Sequence, residues 1–189
     1  MRTSALLSCL IWLLSVGAAP VPDDIKSVEL IVNGGFEDGP EVEVYTSLDE
    51  KSDAMKGWIV SRGQIDYCGT HWKAAEGKRS LDLHGSPGYG GVKQTIKTEK
   101  GATYRVTFQM AGNPNVGSKK MTLAVWANEQ TKGFEFDCTD KSIEDMGWIK
   151  QTWDFKADAD ETVIEIATTM KADEFGGPAL DDVSVKRLK

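Results

Sequence analysis

Histidine is nearly absent from this sequence. The 189 residues include two, His71 and His84, so a histidine-based catalytic triad or a three-histidine zinc centre has almost no material to draw on. There is no Gly-x-Ser-x-Gly elbow, no Walker sequence and no GxGxxG after a strand, which leaves neither a nucleophilic serine site nor a phosphate cradle. The glycine-rich run from His84 to Gly91 has no elbow or later triad order beside it and reads as a hairpin turn. Basic residues are in deficit. Lys and Arg number 22 against 29 Asp and Glu, a net charge of −7, and the basic pairs Lys119-Lys120 and Lys186-Arg187 are short. That composition disfavours nucleic acid, whose binding draws on clustered Lys and Arg.

Long apolar runs are missing too. The most apolar stretch, Ala5–Val16, is interrupted by Ser8, Cys9 and Ser15 and falls short of the ~18 residues of a membrane helix. It follows Met1-Arg2 and precedes Gly17-Ala18-Ala19, the layout of a secretory signal peptide over 1–19. The expectation is therefore a flexible leader over 20–27, a single domain over 28–189, and a secreted, extracellular protein. Removal of Cys9 leaves Cys68 and Cys138. In an exported chain such a pair either forms a disulfide or stays as two buried thiols, and both alternatives are open.

What is present is period-2 alternation. Tyr104, Val106, Phe108 and Met110 alternate with Arg105, Thr107 and Gln109. Met121, Leu123 and Val125, Leu81 and Leu83, Ile149 to Phe155, and Ile164 and Ile166 repeat the pattern. Gly, Pro and Asn clusters separate these stretches, and helix signals are confined to a turn over 141–146. The fold class is all-β, a jelly-roll β-sandwich. Residues 41–54 are polar and read as an exposed insertion. Carboxylates are too many to single out a catalytic pair, and 137–145 lacks the glycine and terminal Glu of an EF-hand loop.

Ordered motifs then narrow the class. Asn33-Gly34-Gly35-Phe36-Glu37-Asp38-Gly39, Gly57-Trp58, Gly63-Gln64-Ile65-Asp66-Tyr67, Trp72 to Leu83, Gln94-Thr95, Ala111-Gly112-Asn113-Pro114 and Gly177 to Val185 follow one another along the chain. Together they resemble the choice-of-anchor C family, also called domain of unknown function 642, with the galactose-binding-like jelly roll of carbohydrate-binding modules. The resemblance covers about residues 28–187. It implies a non-catalytic binding protein: either a module for pectin- or cellulose-type polysaccharide, or an interaction domain for another extracellular protein such as a pectin-modifying esterase. It also implies a structural calcium ion held, with backbone carbonyls, by Glu37 and Asp181 or Asp182, Asp181 being the preferred ligand; a plain pair of surface acids is the alternative.

Sugar recognition needs flat rings beside polar groups. Trp72, Trp126, Tyr67, Asp66, His84, Tyr89 and Asn113 are the candidate ligand-binding residues. Trp126 is expected on the less buried face of its strand, its ring open for stacking. Trp58, Trp148 and Trp153 lie among alternating apolar neighbours and read as core, and Arg79 is a candidate strut to Glu76 or Asp82.

Overall fold

The alternation in the sequence becomes eleven strands in the computed structural model, which describes residues 28–189 apart from 86–87, 117–118 and 172–175. The expected signal peptide over 1–19 and leader over 20–27 lie outside the described residues. In chain order the strands are β1 (Tyr45–Asp49), β2 (Ile59–Arg62), β3 (Gln64–Cys68), β4 (Ser80–Asp82), β5 (Gly91–Lys97), β6 (Thr103–Gly112), β7 (Lys120–Ala127), β8 (Gln130–Asp137), β9 (Ile149–Lys156), β10 (Glu161–Thr168) and β11 (Pro178–Arg187). They form a six-stranded sheet ordered β1-β3-β4-β11-β6-β9 and a five-stranded sheet ordered β2-β5-β10-β7-β8. Every pairing is antiparallel, and no helix occurs among the described residues. This is the all-β jelly-roll sandwich that the alternation anticipates.

The core lies between the sheets. Tyr104, Val106, Phe108 and Met110 of β6 meet Met121, Leu123 and Val125 of β7 and Ile164 and Ile166 of β10, all buried. Each such large side chain contributes about 1.5–3 kcal/mol on leaving water. The outward positions carry charge: Arg105 and Asp154 are register partners on β6 and β9, and their side chains join at 2.7 Å. Residues 41–54, anticipated as an irregular insertion, contain the edge strand β1. Its burial alternates only between exposed and half-buried, which leaves little hydrophobic signal to read.

The Asn33-Gly34-Gly35-Phe36 motif ties the start of the domain to its end. Asn33 and Phe36 both take positive φ, and Phe36 plugs the core beside Trp58 at 5.4 Å between ring centroids. Trp58 Nε1–H donates to the Asn33 carbonyl and the Tyr67 hydroxyl to the Phe36 carbonyl. A Cβ on Gly34 would stand 1.9 Å from the Val183 carbonyl oxygen, so only glycine lets the motif reach β11. There the register shifts between Asp181 and Ser184, with Asp182 at positive φ. The bulge keeps Val183 in the core and leaves Asp181 turned to the outer face.

Candidate functional site

The candidate site is built where a loop folds over the outer face of the six-stranded sheet. In β3 and β4 the alternation sends Ile65, Tyr67 and Leu81 inward, so Asp66 and Asp82, which are register partners, share the outer face. The connection between these strands, residues 69–79, lies back across that face. Trp72 is buried there, its Nε1–H donating to Ser80 Oγ at 2.8 Å. The Ala75 and Glu76 N–H groups donate to Asp181 Oδ2, and those of Lys78 and Arg79 to Glu37 Oε1. Two carboxylates thus hold four backbone N–H groups of this loop in place.

Held this way, the loop leaves His71 beside Tyr45 of the edge strand, with ring centroids 5.4 Å apart and planes at 68°. Between them and the turn after β6 lies a cavity of about 260 Å³ walled by Tyr45, Asp66, Cys68, His71, Asp82, Asn113, Asn115, Val116 and Gly176. Tyr45 is 52% exposed. Asp66 Oδ1 accepts the Ser47 hydroxyl at 2.6 Å, and Asp66 lines the cavity. His71 and the exposed Asn115 bring further polar atoms to the rim.

Asp82 supports this surface from behind. Its Oδ1 accepts the His84 and Gly177 N–H groups at 3.0 and 2.9 Å, and its Oδ2 accepts Asn113 Nδ2–H at 3.0 Å. Burial pushes its carboxyl up to about 7, with the Asp66 charge adding to the rise and the three donors opposing it. Burial likewise raises Asp66, while the Ser47 hydroxyl and His71 pull it down. The Cys68 thiol is driven well above its ordinary range by burial and by the charges of Asp82 and Asp66, which keeps it protonated and unreactive. Gly176, at φ +82°, completes the wall; a Cβ there would meet Asn113 Nδ2 at 2.5 Å.

Of the residues singled out in the sequence, this arrangement brings together Asp66, Asn113 and Cys68. Asn113 acts as a brace: its amide donates to Asp82 and accepts the Asn115 N–H, so both of its ends are used. Tyr67 and Trp72 are core residues, and His84 is buried with its N–H on Asp82. Tyr89 is exposed but does not line the cavity. Trp126 lies on the five-stranded sheet, half-buried. Its ring, expected to be open for stacking, is covered by the Arg62 guanidinium 4.9 Å from the centroid, itself held by Glu165 at 2.6 Å. Trp58 is core as expected, whereas Trp148 and Trp153 are only partly buried against it. Arg79 is no strut to Glu76 or Asp82: Nη1 donates to the Val42 carbonyl, and the guanidinium stands over Tyr67. Tyr45, His71, Asp82 and Asn115 were missed. The one available signal was Asp82, a carboxylate between Leu81 and Leu83 at the centre of a strand.

No bridge joins Cys68 and Cys138; of the two alternatives, the structure has two buried thiols. Cys138 Sγ–H lies against the carbonyls of Lys119 at 3.4 Å and Asn113 at 3.9 Å. The expected calcium ligands Glu37 and Asp181 are committed elsewhere. Glu37 accepts two of the loop N–H groups and Asp181 the other two, with the Asp182 N–H on Asp181 Oδ1 at 2.7 Å, and N–H groups aimed at these oxygens disfavour a cation there. No group of three or more His, Cys, Asp or Glu able to hold a metal occurs among the described residues. The pair as folded does not fit a calcium ion.

The two antiparallel sheets define a jelly-roll β-sandwich. Residues 29–186 match the family described as "Protein of unknown function (DUF642)", and the chain belongs to that family. Halomucin of Haloquadratum walsbyi is 28% identical over 162 residues, 82% of this chain and 2% of that protein. The Arabidopsis thaliana protein DUF642 L-galactono-1,4-lactone-responsive gene 2 is 24% identical over 172 residues, 82% of this chain and 45% of its own length. The chain thus spans less than half of these relatives. Among solved structures, TmCBM61 in complex with β-1,4-galactotriose superposes with a TM-score of 0.50 at 20% identity, over 86% of this chain and all of that one. At this identity the likeness is one of fold.

Proposed function

We propose that this chain is a secreted, non-catalytic carbohydrate-binding domain that takes a unit of an extracellular or cell-wall polysaccharide in the Tyr45–His71–Asp66–Asn115 pocket. The observation that carries the reading is the pocket itself: an exposed aromatic ring beside a carboxylate oxygen, an imidazole and an amide that face solvent. A sugar presents C–H faces to a ring and hydroxyls that both donate and accept, and this set answers both needs. The fold shared with a galactotriose-bound module agrees with it.

Catalysis is disfavoured by the same geometry. Glycoside hydrolysis needs two carboxyl groups that reach opposite sides of a bond. Asp82 also lines the cavity, but it is buried and its oxygens already accept three donors, so among the described residues of the wall one carboxylate, Asp66, is left for a sugar. The charged start, apolar run and small-residue exit over 1–19 support export. Affinity electrophoresis against galactan, cellulose, xylan and pectin tests the reading. Retardation by at least one polymer, abolished by Tyr45→Ala, is expected; migration unchanged by all four, or retardation that survives Tyr45→Ala, would refute it.

A further inference from the structure

We infer that the pocket selects by charge, admitting one neutral sugar ring and turning away the corresponding uronate. The inference rests on the carbohydrate-binding reading and adds the class of ligand. Among the described residues that wall the cavity, no Lys or Arg is present. The nearest guanidinium on that loop, Arg79, is turned away to the Val42 carbonyl and the Tyr67 ring. Recognition of a carboxylate calls for a guanidinium fork or a pair of backbone N–H groups. The N–H pair available here, from His84 and Gly177, already serves Asp82.

The wall is instead acidic. Asp66 lines the cavity, Asp82 lies directly across from it on the next strand, and Tyr45, Cys68 and His71 are the other titratable groups among the described residues of the wall. His71 is the one side chain among the described residues of the wall able to carry positive charge, and it already acts to lower Asp66. A uronate at C6 would stand within a few ångströms of a carboxylate that has no cation to spare for it. The chain's net charge of −7 opposes a polyuronate at longer range as well. A neutral hexose meets no such penalty, since its hydroxyls donate to Asp66 and accept from Asn115. The cavity of about 260 Å³ is smaller than the roughly 300–1,000 Å³ of clefts for drug-sized ligands, which fits one ring at a chain end or branch.

The test uses ligand pairs identical except at C6: methyl β-galactopyranoside with its uronoside, and methyl β-glucopyranoside with its uronoside. Each is titrated into ¹⁵N-labelled protein at neutral pH and low salt, following the signals of Asn115, His71 and Tyr45. At least one neutral glycoside should move these signals, with its uronoside binding about tenfold more weakly or less, and Asp66→Asn should narrow that gap to within about threefold. A uronoside that binds as tightly as its neutral twin at the same signals would overturn the charge selection while leaving the carbohydrate reading intact. If neither ring, neutral or acidic, moves the pocket signals and no polysaccharide retards the protein, the carbohydrate reading itself falls.

Discussion

At the scale of single residues, Asp82 holds the pocket's back wall, because its carboxyl joins β4, the turn after β6 and the turn before β11 through three donors. Its position has a pH signature. A carboxyl raised by the fold to about 7, against about 4 when unfolded, favours the protonated form of the native state. Its stabilising contribution is complete below pH 4 and is lost as pH rises through about 7. Asp181, raised to about 7 by its own burial, acts in the same direction. The thermal midpoint is therefore expected to fall between pH 5 and pH 8, and Asp82→Asn to flatten the fall; a midpoint rising across that window would contradict the assignment. Trp72 shows the opposite case of a residue whose loss mimics a binding defect. Its buried ring predicts that Trp72→Ala costs about 3–5 kcal/mol in denaturant unfolding, whereas Tyr45→Ala, at an exposed ring, costs under about 1 kcal/mol.

At the scale of elements, the loop over residues 69–79 decides where the pocket is, and the two carboxylates under it decide where the loop is. Hydrogen exchange gives a direct check. The amides of Ala75 and Glu76 should lose protection in Asp181→Ala and those of Lys78 and Arg79 in Glu37→Ala, while excess chelator leaves the thermal midpoint of the wild type unchanged. A midpoint lowered by chelator would restore a metal at this pair. The strands around the loop were legible because Tyr104 to Met110 and Ile164 to Ile166 each bury one face, and period 2 is then written in side-chain polarity. β1 was not, since Tyr45, Ser47 and Asp49 face out and Thr46 and Leu48 are only half-covered. The one strand among those described with no buried residue carries the pocket's aromatic ring, and that lack of burial is what erased its signature.

At the scale of the molecule, the all-β sandwich and its family were readable from ordered motifs that run the length of the domain, most of which build the core and the closure of its ends. The pocket was not, because Tyr45, Asp66, His71 and Asn115 come from four separate segments that meet only once the sheet is assembled. Asp66 and Asn113 were found through motif context; Trp126 was misplaced because alternation shows which face a ring takes but not that Arg62, 64 residues earlier, lies over it. The two thiols follow the same logic, and an unchanged thermal midpoint with and without reductant is expected of a sandwich that no bridge staples. The most direct test sets the two faces against each other: isothermal titration of β-1,4-galactotriose and cellotriose into the wild type, Tyr45→Ala and Trp126→Ala. Binding of one trisaccharide that is lost in Tyr45→Ala and kept in Trp126→Ala is expected; binding lost in Trp126→Ala and kept in Tyr45→Ala would place the site on the other sheet and contradict this account.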